Sequence, residues 1–247
     1  MFDVNYDFFL IENNFKEIEE VKSEKIQGDT SSKLPLVSIV IPTYKRVSTL
    51  RETLDSAIRQ TGNHNYEILV VDNNPERGDE TELLMAEYVS VKNLLYFKNT
   101  ANIGMAGNWS RCSELAHGEW VVLIHDDDLL VNNYLDEIEP CLINCVDGLF
   151  VCPKTFIDGE PLPTLNNSER MEIMKITLMY QYLFPILCAS GNALRKSKIL
   201  EYGGYTSKTY APDFFFSKMV YYSNVYMTNK SLIYYRKGLN ESTKTEV

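Results

Sequence analysis

The stretch VSIVIPTYKRVSTLRETLDSAIRQTGNHNYEILVVDNN, residues 37–74, contains an apolar run, an amphipathic segment and a second apolar run. The first run, Val37–Ile41, ends at Pro42 and is typical of a strand that is buried on both faces of a parallel sheet. The amphipathic segment, Ser48–Thr61, has its leucines at helical spacing. The second run, Tyr66–Val71, is again typical of a buried strand. This order predicts a strand–helix–strand unit with a right-handed crossover.

The same alternation continues along the chain, although the second half is less regular. Further strands are predicted at Leu94–Phe97, Trp120–His125, Phe150–Pro153 and Val225–Arg236. Further helices are predicted at Glu80–Val89, Gly104–His117, Val131–Asn144, Glu169–Tyr182 and Asp213–Tyr222. Strands that alternate with helices predict an α/β domain with a Rossmann-like, largely parallel sheet flanked by helices.

Three consecutive carboxylates, Asp126-Asp127-Asp128, follow the strand predicted at 120–125. Two acidic side chains one residue apart can both bind one hard divalent cation, such as Mg²⁺ or Mn²⁺, which keeps open positions for phosphate oxygens. The alternative is a solvated turn or a helix N-cap, because Asp is favoured directly before a helix. The triplet therefore predicts a metal site that a nucleoside diphosphate would complete.

The carboxyl ends of the predicted strands bring distant polar residues together. Ligands of open parallel sheets bind in the crevice beyond these ends. The rule places the acidic triplet beside Pro42-Thr43-Tyr44 and Asp72-Asn73-Asn74. We expect Asp72 to accept hydrogen bonds from a ribose or a base, and Tyr44 to stack on a base. The alternatives are that Asp72 only forms a turn and that Tyr44 has no ligand contact.

Composition narrows the class of protein. The chain has 247 residues, of which 45% are hydrophobic, and a formal net charge of −10. This charge argues against a sequence-independent nucleic-acid binder, which needs clustered cations. Five cysteines without a CxxC pair are typical of reduced thiols in a cytosolic protein. Acidic residues interrupt the first apolar segment, so we expect no signal peptide and a cytoplasmic protein, with peripheral attachment to the inner face of a membrane as an option.

Residues 1–33 differ in composition from the rest of the chain. Aromatic and aliphatic residues alternate with acids as far as Ile18, and a polar stretch rich in Lys, Ser, Asp and Gly follows from Ser23 to Lys33. The pattern predicts an N-terminal arm and linker, 1–33, ahead of one domain at 34–247. The arm is expected to pack on the domain, on a partner or on a membrane surface.

From Val37 to about Ser242, the chain resembles family 2 glycosyltransferases, inverting enzymes of the GT-A fold that build bacterial surface polysaccharides. The resemblance rests on three segments together. VSIVIPTYKR is similar to the family's first strand and nucleotide-binding turn, and EILVVDNN to its second strand with the Asp that contacts the base. NIGMAGNWSRCSELAHGEWVVLIHDDD is similar to the segment that leads into the metal motif.

The resemblance implies a role for each matching residue. The residues expected to line the nucleotide pocket are Pro42, Thr43, Tyr44, Arg46, Asp72, Asn102, Gly104 and Asp126. Asp126 and Asp128 match the Asp-x-Asp metal motif, with Asp127 as a rival for direct metal contact. Asp213, in the segment TYAPDFFFSK, matches the acidic residue that acts as the family's catalytic base. The alternative for Asp213 is an ordinary helix N-cap.

The chain departs from the family pattern at two positions. His125 stands where many relatives have Asp, although a His-Asp-Asp-Asp version also occurs in the family. Tyr235-Arg236 is followed by Lys237-Gly238, whereas relatives often have a His after the Tyr-Arg pair. Arg236 or Lys237 can pair with a diphosphate there instead.

The resemblance implies transfer of a sugar from a nucleotide-diphosphate donor, expected to be a UDP-sugar, to a hydroxyl of a saccharide or lipid-linked acceptor. It implies a hexosyl- or N-acetylhexosaminyltransferase that uses Mn²⁺ or Mg²⁺, with a nucleotide-binding half at 34–130 and an acceptor half at 131–247. Two alternatives are a sugar nucleotidyltransferase and a non-catalytic nucleotide-sugar-binding scaffold. The turn PTYKR lacks the glycines that are typical of a nucleotidyltransferase phosphate loop.

Overall fold

The computed structural model describes residues 7, 9–29, 33–144, 147–166, 170–184, 188–208 and 215–238. Within these residues, ten strands form one sheet: β1 Ser23–Gln27, β2 Val37–Thr43, β3 Tyr66–Asp72, β4 Leu94–Asn99, β5 Trp120–Leu123, β6 Leu129–Leu130, β7 Gly148–Ile157, β8 Ile173–Lys175, β9 Asn192–Arg195 and β10 Val225–Lys237. The helices are α1 Val47–Ile58, α2 Glu80–Ala86, α3 Gly104–Leu115, α4 Tyr134–Asn144, α5 Leu178–Leu183, α6 Lys196–Glu201 and α7 Phe215–Tyr222. A short 3₁₀ helix, Asn14–Glu17, precedes β1.

The strand order across the sheet is β1-β4-β3-β2-β5-β9-β7-β10-β6, and β8 pairs with β10. Strands β4, β3, β2 and β5 are parallel neighbours, as the strand–helix alternation predicts. The sequence did not predict β9, which runs antiparallel between β5 and β7. The α/β fold class is therefore confirmed, with mixed strand directions in the second half.

Both faces of the central strands are buried, which explains their nearly continuous apolar sequences. In β2, Ile39 and Ile41 belong to a core on the side of α1, α2 and α4. Val40, between them, belongs to a second core on the side of α3, α6 and α7. The strand period of two residues separates the two cores. None of the described helices combines the length and apolar character that crossing a lipid bilayer requires.

The segment that was predicted as one helix, Glu169–Tyr182, has a different structure where it is described. Ile173–Lys175 form strand β8, and only Leu178–Leu183 are helical. Thr177 separates the two elements, and its side chain accepts a hydrogen bond from the Tyr180 amide as the N-cap of α5. Pairing of β8 with the edge of β10 outweighs the helical spacing of the apolar residues.

The N-terminal segment packs on the domain. The expected linker is wrong at Ser23–Gln27, because these residues form β1 and pair antiparallel with β4. The buried Arg111 of α3 donates to the carbonyl oxygens of Ile18 and Val21, at 2.7 Å in each case. The Asn14 amide donates to the Gly203 carbonyl oxygen at 2.9 Å. Backbone pairing at a sheet edge needs no apolar side chains, so the polar residues of β1 carry no strand signal.

Candidate active site

The acidic triplet forms a buried turn between β5 and β6, at the carboxyl ends of the parallel strands. Asp126, Asp127 and Asp128 are only 6%, 2% and 0% exposed. The Asp128 amide donates to the His125 carbonyl oxygen at 3.2 Å and closes the turn. Burial of three neighbouring carboxylates is costly unless partners compensate their charge. The surrounding residues supply part of that compensation.

Thr43, the last residue of β2, and Arg46, the N-cap of α1, hold the triplet from one side. The Thr43 hydroxyl donates to Asp126 Oδ2 at 2.8 Å. The Arg46 guanidinium lies 2.8 Å from Asp127 Oδ2 and 3.5 Å from Asp126 Oδ1. Between them, Lys45 has φ 55°, the only positive value at a non-glycine residue in the described part of the chain. This left-handed residue lets the chain turn sharply between β2 and α1.

Arg236 holds the triplet from β10 and is 3% exposed. Its amide donates to Asp128 Oδ1 at 2.9 Å, and its Nε donates to the Asp127 carbonyl oxygen at 2.7 Å. Its two other guanidinium nitrogens pair with Glu52 of α1 and with Asp158 after β7. All three guanidinium nitrogens thus have partners within the protein, which argues against the expected pairing of Arg236 with a diphosphate. The acidic turn is thus held from two sides, by Thr43 and Arg46 on one side and by Arg236 on the other.

The side chains of the turn have pKa values that differ from those of exposed residues. Burial raises the pKa of Asp126 to about 7, although Arg46 and Thr43 oppose the shift. Burial and the negative charge of Asp127 raise the pKa of Asp128 to about 7. Burial lowers the pKa of His125 to about 4, so its imidazole is neutral at pH 7. A bound cation would favour the ionised carboxylates.

The donor atoms of the turn fit a hard divalent cation. Ligand atoms of His125, Asp127 and Asp128 lie within 4.8 Å of one another. Asp128 Oδ2 and His125 Nε2 are buried and have no hydrogen-bond partner among the described residues. The His125 ring stacks on Trp109 with centroids 5.1 Å apart. His125 was outside the predicted metal set, and its position beside the triplet was the signal available in the sequence.

Asp72 lies at the end of β3 and is completely buried. Its Oδ2 accepts hydrogen bonds from Lys98 Nζ at 2.8 Å and from the Tyr96 hydroxyl at 3.0 Å. Its Oδ1 accepts the Asn74 amide at 2.9 Å. Burial raises the pKa of Asp72, and Lys98 opposes the shift. Asp72 therefore forms the predicted turn. Its contact with a nucleotide stays a prediction.

The remaining predicted nucleotide residues surround the same crevice. Pro42 is buried in β2, and Tyr44 is 44% exposed, with Lys45 Nζ 5.6 Å from its ring centroid. Asn102 Oδ1 accepts hydrogen bonds from the Gly104 amide at 2.8 Å and from Asn73 Nδ2 at 2.7 Å. The exposed Tyr44 ring is available for stacking, and Asn102 fixes the turn that leads into α3.

Sequence reasoning missed Asn99 and Asn108, which are hydrogen-bonded to each other beside Asn73. Asn99 Nδ2 donates to Asn73 Oδ1 at 3.0 Å and to Asn108 Oδ1 at 2.9 Å. The Ile103 amide also donates to Asn73 Oδ1 at 3.0 Å. These amides connect β3, β4 and α3 and fix the loop that contains Asn102. Asp213 lies outside the described residues, so its catalytic role also stays a prediction.

Comparison with known proteins identifies the family. The protein-family model described as glycosyl transferase family 2 matches residues 38–203, about two thirds of the chain. The chain belongs to glycosyl transferase family 2. This confirms the family resemblance that was based on the three quoted segments, and the matched residues include the acidic turn together with Thr43 and Arg46.

Curated relatives of the family 2 domain are longer than this chain. An uncharacterized glycosyltransferase of Rickettsia typhi is 30% identical over 158 residues, which are 62% of this chain and 46% of the relative. The O-antigen biosynthesis protein RfbC of Myxococcus xanthus is 32% identical over 127 residues, which are 51% of this chain and 10% of RfbC. The chain spans less than half the length of either relative.

Solved structures share the family 2 fold at low sequence identity. S. aureus TarS 1-349 in complex with UDP-GlcNAc has a TM-score of 0.69 and 19% identity, over 83% of this chain and 59% of TarS. The mannosyltransferase PcManGT from Pyrobaculum calidifontis, in complex with GDP-Man and Mn²⁺, has a TM-score of 0.61 and 16% identity, over 92% and 63% of the respective chains. At this identity the likeness shows the fold alone, and it confirms the GT-A fold.

Proposed function

We propose that the protein transfers a sugar from a nucleoside-diphosphate sugar to a hydroxyl of a saccharide or lipid-linked acceptor, with inversion at the anomeric carbon. The observation that carries the proposal is the buried acidic turn at the carboxyl ends of parallel strands. A fold has many functions, so the assignment depends on this site and on membership of family 2.

The donor would lie in the crevice between the acidic turn and the loop after β3. Tyr44 stacks on the base in this arrangement, and Asp72 and Asn102 border the base and ribose. Thr43 and Arg46 orient Asp126 and Asp127 through the hydrogen bond and ion pairs described above. Fixed carboxylates avoid the cost of rearrangement when the donor binds.

We assign Asp126, Asp127 and Asp128, with His125, as the residues that would hold Mn²⁺ or Mg²⁺. Such a cation, when bound, neutralises the charge of the diphosphate leaving group. The buried carboxylates and the unpartnered Asp128 oxygen support this assignment. The Mn²⁺ complex of PcManGT supports it by analogy.

Asp213, two residues before α7 in the sequence, is proposed as the general base on the acceptor side. It takes the proton from the acceptor hydroxyl while that oxygen bonds to the anomeric carbon. The bond from the anomeric carbon to the diphosphate oxygen breaks in the same displacement, which inverts the configuration. A single displacement needs no covalent nucleophile.

A place in surface polysaccharide synthesis is supported by the name of the relative RfbC, an O-antigen biosynthesis protein. The neighbours bind UDP-GlcNAc or GDP-Man, so both hexosyl and N-acetylhexosaminyl donors are candidates for this chain. We propose a UDP-sugar, as the resemblance implies. Cytoplasmic location, with contact at the inner membrane face for a lipid-linked acceptor, completes the proposal.

The test combines binding with turnover. Calorimetry measures UDP affinity with Mn²⁺ and with a chelator, and mass spectrometry follows a panel of nucleotide sugars with mixed acceptors. We expect tighter UDP binding with Mn²⁺, loss of that gain in Asp128→Asn, and no loss in the exposed control Asp29→Asn. Equal affinity with the chelator would remove the metal role. Formation of a nucleoside triphosphate from the donor and pyrophosphate would instead indicate a nucleotidyltransferase.

A further inference from the structure

A groove lies beside the acidic turn, between α1, β6 and residues 161–166. Its volume is about 460 Å³, within the range of roughly 300–1,000 Å³ that is usual for small-ligand sites. Glu52 lines the groove and also pairs with the Arg236 guanidinium at 2.6 Å. Because Arg236 Nε also donates to the Asp127 carbonyl oxygen, Glu52 and Arg236 connect the groove to the acidic turn.

The lining of the groove combines planar polar groups with apolar ones. Asp55 comes from α1, Arg59 is the C-cap of that helix, and Asn132 comes from the connection between β6 and α4. Tyr234 of β10 and Leu162 provide apolar surface. A sugar ring has hydroxyl groups around its rim and C–H bonds on its faces, so it matches polar side chains beside an aromatic ring.

The charges of the lining favour a neutral ligand. Glu52 pairs with Arg236, and Asp55 pairs with Arg59 at 2.6 Å. Arg59 is the only basic residue among the described residues that line the groove, and it has this carboxylate partner. Phosphate recognition needs cationic donors, and a second phosphate site is therefore disfavoured. Burial raises the pKa of Tyr234, so its hydroxyl is neutral and can both donate and accept.

We propose that this groove binds a neutral part of the acceptor saccharide, at sugar units remote from the one that receives the transferred sugar. The proposal rests on the proposed function. The position of the groove gives the reason: Leu129, which follows Asp128 directly in the chain, lines it, so an acceptor bound at the acidic turn has the groove beside it. The groove would then select acceptors by the chain behind the reacting sugar.

The test uses the full chain without a donor. Saturation-transfer NMR measures binding of tri- to hexasaccharides of glucose, galactose, mannose and N-acetylglucosamine, together with a uronate-containing set. We expect binding of a neutral saccharide, weakened roughly tenfold or more by Leu162→Trp, which fills the groove from an exposed position. Tyr234→Ala should act in the same direction. Tyr182→Ala, an exposed tyrosine of α5, is the matched control.

The outcomes separate the groove from the catalytic proposal. If no neutral saccharide shows binding that Leu162→Trp weakens, or if uronate chains bind best, the groove proposal is overturned even when UDP binding and transfer persist. If saccharide binding responds to Leu162→Trp but neither UDP binding nor transfer occurs, the groove stands as a saccharide site and the proposed function fails. Tyr234 packs edge-to-face on Phe156, so a folding defect in Tyr234→Ala leaves Leu162→Trp as the deciding variant.

Discussion

Lys98→Met tests the ion pair that is buried beneath the crevice. Lys98 is 2% exposed, and its Nζ lies 2.8 Å from Asp72 Oδ2 and 2.9 Å from Asp79 Oδ1. Burial lowers the pKa of Lys98, but the hydrogen bonds with Asp72 and Asp79 outweigh burial and raise it, so the ammonium is charged at neutral pH. Methionine replaces the aliphatic stem with similar volume and removes the charge.

The expected loss of stability in Lys98→Met depends on the partners that Asp72 keeps. Removing one partner of a buried ion pair costs about 3–5 kcal/mol. Asp72 keeps the hydrogen bonds from Tyr96 and Asn74, and burial already raises its pKa, so it can become protonated. We therefore expect Lys98→Met to lower the free energy of unfolding by about 3 kcal/mol. Asp72→Asn should cost less, about 1–3 kcal/mol, because Lys98 keeps Asp79.

Urea titration measures the free energy of unfolding of both variants and of the double variant. The double variant removes both charges, so its loss should be smaller than the sum of the single losses. Lys92→Met, at an exposed position before β4, is the control and should change stability by less than about 0.5 kcal/mol. Strictly additive losses, or a Lys98→Met variant as stable as the control, would refute the coupling of Asp72 with Lys98.

Three further predictions concern other parts of the molecule. Arg236→Met removes the donor to the Asp127 carbonyl oxygen and should lower the free energy of unfolding by about 1–3 kcal/mol. The exposed control Lys237→Met should leave it unchanged. Equal losses of stability in urea titration would contradict the role of Arg236 in holding the acidic turn. Burial lowers the pKa of His64, but hydrogen bonds with two α4 carboxylates outweigh burial and raise it above 6.5. The stabilisation is present below the unfolded-state pKa and is lost as pH rises through the folded-state pKa, so the stability difference between the parent and His64→Gln should be larger near pH ~6 than near pH ~9; a pH-independent difference would exclude this linkage. Asp213→Asn should reduce transfer by about 10²–10⁴-fold with unchanged UDP affinity, and transfer at the parent rate would leave Asp213 as a helix cap.

The parallel half of the fold could be predicted from the sequence because its strands are buried on both faces. Continuous apolar runs such as Val37–Ile41 and Tyr66–Val71 are typical of such strands in an α/β chain. Strands β1 and β9 could not be predicted in this way. Ser23–Gln27 is polar because it is an edge strand, and Asn192–Arg195 is only four residues long. Their identity depends on pairing partners that are distant in sequence.

The location of the candidate site could also be predicted, but its supporting contacts could not. The rule for strand ends predicted that the acidic triplet lies beside Thr43 and Asp72. The hydrogen bond from Thr43 to Asp126 places Thr43 there. The roles of Arg236 and Lys98 depend on side chains that meet across 109 and 26 residues of sequence. No local pattern distinguishes an arginine that holds a buried turn from one on the surface.

The carboxylates of the acidic turn differ in the charged side chains that lie next to them. Arg46 lies next to Asp126 and Asp127, whereas the Arg236 side chain contacts a carbonyl oxygen of the turn and is paired with two other carboxylates. Asp128 lies 3.5 Å from His125 Nδ1, but His125 is neutral at pH 7 because burial lowers its pKa to about 4. Among the described residues, Asp128 is thus the carboxylate of the turn without an ion pair to a charged side chain. Since an uncompensated buried charge is costly, positive charge brought to this turn would stabilise the ionised form of Asp128, as it would that of Asp126, whose pKa burial also raises to about 7.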